Sequence, residues 1–258
     1  MYRRAYAVPV SYIPFAFPGV PQVRCAFQTR PGGVSLGEFG GGNIAFTVQD
    51  KPEHVIANRR SMLEGLRPQG MTAWAELMQV HGDGFVFEPE AVACEMPVTA
   101  EGDGMATARP GLGLLIKTAD CQPILIAHKS GAYIAAMHAG WRGNRCDFPI
   151  TGVARFCERY GLEPRDLLAV RGPSLGPGKA EFVNFDKEWG DPYLPWFDAS
   201  NKTMDLWGLT RHQLERAGLL PRNIYGLDIC TASNNEQFFS YRCARRSGRQ
   251  ASLVWIAA

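Results

Sequence analysis

Residues 112–143, LGLLIKTADCQPILIAHKSGAYIAAMHAGWRG, constrain this chain more than any other stretch. Three short apolar runs, 114–118, 123–127 and 132–137, follow one another with only tight polar breaks between them. Runs of this length, rich in β-branched residues and bounded by glycine, read as buried strands. Two of the breaks carry candidate metal ligands. Cys121 follows Asp120 after the first run, and His138 ends the third, just before Ala139-Gly140-Trp141-Arg142-Gly143. Glycines on either side of Trp141-Arg142 allow a tight turn and close approach to a ligand. A packed β-meander with a buried free thiol and a satisfied histidine accounts for either residue alone. Both together, at strand ends, point to a site.

The rest of the chain reads as alternating strands and helices. Residues 20–29 form a strand entering the Gly32-Gly33 turn, preceded by Arg30. After Gly40-Gly41-Gly42-Asn43, residues 44–48 read as a short strand. Residues 52–66 read as a helix capped by Asp50, with Val55, Met62, Leu63 and Leu66 at helical spacing and Arg59 between them. Residues 71–80 read as a strand ending at Gln79-Val80-His81-Gly82, which supplies a third candidate ligand, His81. A short strand at 85–87 and a polar loop at 101–104 come next. Residues 151–160 read as a helix closed by Gly161, and 167–170 as a strand. The region ends with a helix at 206–217 and strands at 224–229 and 251–256. The proline-interrupted N-terminus reads as an extended edge segment rather than a signal sequence.

Composition narrows the function. Lys and Arg number 27 against 25 Asp and Glu, a net charge of +2 that argues against nucleic acid or a membrane surface as partner. No window approaches the ~20 apolar residues of a membrane-spanning helix. No linker or repeat divides the 258 residues, so a single domain over 1–258 is expected, as a monomer. Seven cysteines without a CxxC pair fit reduced thiols in a cytoplasmic protein.

Two imidazoles and a thiolate suit zinc, and three protein ligands leave a position for water or substrate. Copper(I) could bind the same donors. The same atoms allow another chemistry, with Cys121 as nucleophile, His81 or His138 as its base and Asp120 as the orienting third member of a cysteine hydrolase. A metal-binding protein without catalytic activity is a further alternative. His54, His128 and His212 carry no assigned role.

The motifs Gln79-Val80-His81-Gly82, Thr118-Ala119-Asp120-Cys121-Gln122-Pro123, His138-Ala139-Gly140-Trp141-Arg142-Gly143, Gly172-Pro173-Ser174-Leu175-Gly176 and Phe238-Phe239-Ser240-Tyr241-Arg242 occur together. With them the chain resembles the laccase-domain family, also called multicopper polyphenol oxidases. Members of that family are described as zinc-dependent purine nucleoside phosphorylases. The likeness runs from about Phe27 to Gln250. It implies an α+β fold, a single domain of two packed mixed β-sheets with helices on the outside, in α/β/β/α layers. It implies His81, Cys121 and His138 as metal ligands. It also implies phosphorolysis of adenosine, inosine or guanosine, with methylthioadenosine as a further substrate and adenosine deamination as a related activity. Arg30, Asn43, Arg59, Lys117 and Arg142 match positions near the family's pocket, suited to phosphate or ribose, with ordinary surface solvation an equal reading for Arg59 and Lys117. Trp141 and Phe239 read most simply as core aromatics, and their position next to arginines and glycines suggests a base-stacking wall. The chain departs from many relatives in having Lys179 and Ala180 before Glu181, Asn144 after the His138 motif, and Cys243 where a second Arg is common. Laccase chemistry itself needs several histidine-rich copper sites, and five histidines, two of them in motifs, cannot build them.

Overall fold

A computed structural model describes residues 8–258. In chain order its elements are β1 (Tyr12–Ala16), β2 (Val23–Gln28), α1 (Pro52–Leu66), β3 (Ala73–Glu76), β4 (Phe85–Phe87), β5 (Gly104–Thr107), β6 (Leu112–Thr118), β7 (Gln122–His128), β8 (Ile134–Ala139), α2 (Trp141–Arg145), α3 (Phe148–Tyr160), β9 (Leu167–Arg171), α4 (Phe185–Glu188), β10 (Phe197–Asp198), β11 (Thr203–Met204), α5 (Leu206–Arg216), β12 (Ile224–Gly226) and β13 (Gln250–Ile256). A five-stranded sheet runs β1-β2-β13-β6-β3, antiparallel except for the β6–β3 pair. A six-stranded sheet runs β12-β9-β7-β8-β5-β4, with parallel pairs at its two ends.

The layering follows from apolar strands that are buried on both faces. Leu114 and Ile116 of β6, Val254 and Ile256 of β13, Leu125 of β7 and Ala136 of β8 meet between the sheets. The alternate residues face outward. Leu115, Leu253 and Trp255 pack against Met62 and Leu66 of α1, while Ile124, Ile126 and Met137 pack against Val153, Phe156 and Cys157 of α3. The result is helix, sheet, sheet, helix, as the resemblance implies. A small satellite core of Phe182, Phe185, Trp189 and Met204 sits under the β10–β11 hairpin. Among the described residues no helix is long and apolar enough to cross a membrane.

Several elements differ from the sequence expectation. Residues 44–48 form no strand; Phe46–Val48 is a 3-10 turn. Asp50 does not cap α1. Its carboxylate accepts from Ser35 Oγ (2.6 Å) and Asn43 Nδ2 (2.9 Å) instead. The strand expected over 71–80 stops at Glu76, because beyond it the Gln79 side chain takes over the pairing. Gln79 accepts from Lys117 N and donates to Lys117 O, each at 2.8 Å. That leaves His81 in a loop. The strand expected over 224–229 ends at Gly226. Helix α3 begins at Phe148, earlier than expected, with Pro149 in its first turn, where a missing N–H costs nothing. His138 lies within β8, opposite Pro123 of β7, rather than beyond the strand end. Of the N-terminal segment, the described part includes β1 at a sheet edge, as expected, and residues 1–7 lie outside the described residues.

Candidate metal centre

The chain crosses from one sheet to the other in Ala119-Asp120-Cys121, between β6 and β7, and this crossing sets Cys121 at the seam. Asp120 adopts a left-handed backbone (φ 88°), an uncommon state for a non-glycine residue. Its carboxylate, which accepts from Thr231 Oγ1 (2.7 Å) and Arg242 N (2.6 Å), and its carbonyl, which accepts from Leu175 N (2.8 Å), hold the turn. Neither imidazole bonds to Asp120, so the orienting role considered for it falls elsewhere. His138 Nδ1 is bonded to Asp103 Oδ1 at 2.7 Å. Asp103 lies in the polar loop before β5, is fully buried, and also accepts from the backbone of Val80, His81 and Gly82.

With Nδ1 of His138 engaged, its Nε2 faces inward. The ligand atoms of His81, Cys121 and His138 lie within 4.8 Å of one another, and this group could hold a metal ion. Cys121 Sγ and His81 Nε2 stand 3.7 Å apart. Tetrahedral zinc with ordinary Zn–S and Zn–N bonds would separate such atoms by ~3.6 Å, so the donors fit the ion. Gly140, entering α2, backs directly onto the group; a Cβ there would stand 3.0 Å from the His81 ring and 3.1 Å from Cys121 Sγ.

Burial opposes ionisation of Cys121, yet the charge of His138 and hydrogen bonds from His138 and His81 outweigh it and bring the thiol down to about 6. Burial likewise opposes the charged form of His138, but the Cys121 charge and the Asp103 hydrogen bond lift it to about 9. The two shifts run in opposite directions and favour the thiolate–imidazolium form of the pair; a metal held through the Nε2 lone pair would displace that proton. Asp103 is held below the usual carboxylate range; burial works against this, and the bond to His138 and its charge prevail.

A cleft of about 490 Å³ opens over the three donors, within the ~300–1,000 Å³ typical of small-molecule sites. Arg59, Lys117, Trp141 and Arg142 line it. Arg59 and Lys117 converge on the buried Glu76, two cations on one carboxylate, and Arg59 is only 1% exposed. The Arg142 guanidinium lies 4.3 Å above the Trp141 ring. Three other expected pocket residues are not on the wall. Asn43 is fully buried, and its amide bonds Ala45, Asp50 and Arg249. Phe239 is fully buried beneath Arg30 and so offers no stacking face. Arg30 itself bonds the carbonyls of Gly40 and Asn235 and lines a separate pocket with Arg245 and Arg246.

In the sequence Arg249 closes the basic cluster 242–249, which reads most simply as a solvated turn and more sharply as a phosphate-binding stretch; in the structure it lines the cleft beside Cys121 and Asp120 and is fixed through Nη1 to the carbonyls of Ser247 (2.7 Å) and Gly248 (2.9 Å). Neither Arg142 nor Arg249 forms an ion pair among the described residues. Arg249 also stands in Gly248-Arg249-Gln250, where the family likeness ends. Asp103 was visible only as part of a polar loop, and Gly140, read as a turn glycine after His138, proves to back onto His81 and Cys121 as well.

A family model described as multi-copper polyphenol oxidoreductase laccase matches residues 24–257. The chain belongs to that family. Among its curated laccase-family relatives, the purine nucleoside phosphorylase YfiH of Shigella flexneri is 31% identical over 249 residues, covering 91% of this chain and 94% of that protein. A purine nucleoside phosphorylase of Xylella fastidiosa is 34% identical over 260 residues, covering 93% and 95%. Among solved structures, YlmD from Geobacillus stearothermophilus superposes with a TM-score of 0.83 at 25% identity, covering 100% of this chain and 98% of that one. The Neisseria meningitidis protein NMB0706 gives a TM-score of 0.81 at 29% identity, covering 96% and 99%.

Proposed function

We propose that this laccase-family chain is a zinc-dependent purine nucleoside phosphorylase, acting in the cytoplasm as a monomer on adenosine, inosine or guanosine, with methylthioadenosine as a further substrate. Copper(I) fits the same donors. The observation that carries the reading is the meeting of a His–Cys–His donor group and three arginines, Arg142, Arg242 and Arg249, that form no ion pair among the described residues, in one cleft of a chain whose relatives bear the phosphorylase name. Bound at His81, Cys121 and His138, the metal supplies Lewis-acid polarisation of a substrate oxygen.

The remaining work belongs to the chain. The Cys121 thiolate and the nearby Asp103 carboxylate together offset a dication, so the centre itself attracts anions weakly. Phosphate is held instead by Arg142 and Arg249, whose planar guanidinium groups fit its oxygens in pairs. Trp141, packed edge-on against Phe182, gives the purine an apolar wall. In the reaction a phosphate oxygen bonds to the ribose anomeric carbon, the carbon–nitrogen bond breaks, and the purine leaves with the electron pair and takes up a proton. The same cleft, with water in place of phosphate, would serve adenosine deamination, in which the water oxygen bonds to the amino-bearing ring carbon, the exocyclic carbon–nitrogen bond breaks, and the amino group takes up a proton and leaves as ammonia.

A nucleoside panel assayed with and without phosphate, on protein of measured metal content, tests the reading. Phosphate-dependent release of free base is expected. A second reading is favoured by one observation: Asp103 is bonded to His138, whose ring stands within 4.8 Å of the Cys121 thiol and whose charge lowers that thiol's pKa, a set of groups a cysteine hydrolase would use. Activity that survives chelation and is abolished by covalent labelling of Cys121 would select that reading. Metal retained without turnover of any nucleoside would leave a metal-binding partner protein.

A further inference from the structure

We infer that Asp103 is the positioning residue of this centre, one buried carboxylate that presets two of the three metal ligands, His138 through its ring and His81 through its backbone. The inference rests on the metal reading of the site.

Asp103 is 0% exposed, and a carboxylate in that position must find hydrogen-bond donors to be tolerated. It finds four. Oδ1 accepts from His138 Nδ1 at 2.7 Å and from His81 N at 3.1 Å; Oδ2 accepts from Gly82 N at 2.7 Å and from Val80 N at 3.3 Å. Its own carbonyl also accepts from His138 N at 2.7 Å, so residue 103 grips His138 at both ring and backbone. The loop carrying Asp103 is tied to the far side of the His81 loop, where Asp103 N donates to Gly84 O at 2.9 Å.

Each contact has a different consequence for the centre. The bond to His138 Nδ1 requires the proton there and leaves the Nε2 lone pair facing Cys121, the only tautomer that can ligate from this ring orientation. The three consecutive N–H groups of residues 80–82 converge on the carboxylate as an anion-binding nest. His81 sits in the middle of that nest in the left-handed region (φ 60°), a conformation a histidine keeps only when its surroundings impose it. Asp103 therefore acts on metal affinity without touching substrate. Its amide analogue has the same shape but only one acceptor oxygen. It cannot take up the His138 proton and the three loop N–H groups together.

The test is zinc affinity of the full chain by competition with a chromogenic chelator, in wild type and Asp103→Asn, with cobalt(II) absorption as a reporter of ligand geometry. The expected result is a dissociation constant raised ~10–100-fold in Asp103→Asn. The cobalt ligand-field bands should be altered as well, while the nucleoside KM of zinc-saturated enzyme changes little. Equal zinc affinity and an unchanged cobalt spectrum in Asp103→Asn would overturn the inference and leave the metal reading standing. Failure of wild type to bind zinc or cobalt would remove the metal reading, and this inference with it. Nitrogen NMR of histidine in zinc-loaded wild type adds a test that requires no variant to fold: His138 must be protonated at Nδ1 and metal-bound at Nε2, and the reverse tautomer refutes the role given to Asp103.

Discussion

Gly140→Ala is the smallest change that can disturb the centre from outside the ligand set. Gly140 has an ordinary extended backbone (φ −76°, ψ 172°), so alanine imposes no conformational strain there. Its Cβ would stand 3.0 Å from His81 Cδ2 and 3.1 Å from Cys121 Sγ, several tenths of an ångström inside comfortable contact. Both side chains must yield by that amount, whereas metal sites hold their bond lengths to about 0.2 Å. Two of three protein ligands moved off their positions should weaken binding ~10–100-fold, equivalent to ~1.4–2.7 kcal/mol. The melting temperature of metal-free protein should shift by only ~2 °C or less, since the site is at a helix entry and no core side chain is lost. Chelator competition and thermal melting on the same preparation measure both quantities. Wild-type zinc affinity in Gly140→Ala would refute the assignment of His81 and Cys121 as joint ligands.

Replacing His81, Cys121 or His138 by Ala should each remove most of the bound metal and the activity, as read by metal analysis and turnover. Arg142→Lys should raise the phosphate KM while leaving nucleoside KM and melting temperature nearly unchanged, because lysine keeps the charge but loses the paired contact; an unaltered phosphate KM would remove Arg142 from the phosphate site. Glu76 is buried, which pushes its pKa up, but Lys117 and Arg59 pull it below the ordinary value. Its ionisation therefore stabilises the fold above the unfolded pKa of ~4.3, and that contribution is lost as pH falls through the lowered folded value. Glu76→Gln should cost ~3–5 kcal/mol at neutral pH and flatten the acid limb of the stability curve, measured by urea melts at several pH values. Gly65→Ala, on the exposed face of α1 with open space around it, should stabilise by ~0.5–1 kcal/mol and leave metal affinity untouched.

The sequence exposed the strand-borne half of the site because strands announce themselves. The continuous apolar runs that place Cys121 and His138 are what two-sided burial requires, and the double layer of sheets follows from the same pattern. His81 was visible as the end of an alternating run, although the strand covers only Ala73–Glu76 of the expected 71–80, with the Gln79 side chain replacing the strand ladder. Asp103 was hidden because a carboxylate among glycines has the composition of any surface turn. Only the pairing of β5 with β8, which sets Gly104 opposite Met137, reveals that it meets His138. Asn43 and Phe239 sat in the right motifs but point into the body of the protein, since which way a loop residue turns depends on contacts distant in sequence. Arg249 is placed by both kinds of contact, its N–H donating to Asn43 Oδ1 far away in sequence and its guanidinium to the carbonyls of its own turn.

The central claim is that the group at His81, Cys121 and His138 serves phosphorolysis. Phosphorus NMR of the protein incubated with inosine and phosphate tests it most directly, before chelation, after chelation, and after zinc is restored. A ribose 1-phosphate resonance that appears, vanishes and returns in that order is the predicted result. Free ribose formed while phosphate stays unconsumed, or ribose 1-phosphate production that persists in the chelated protein, would contradict it.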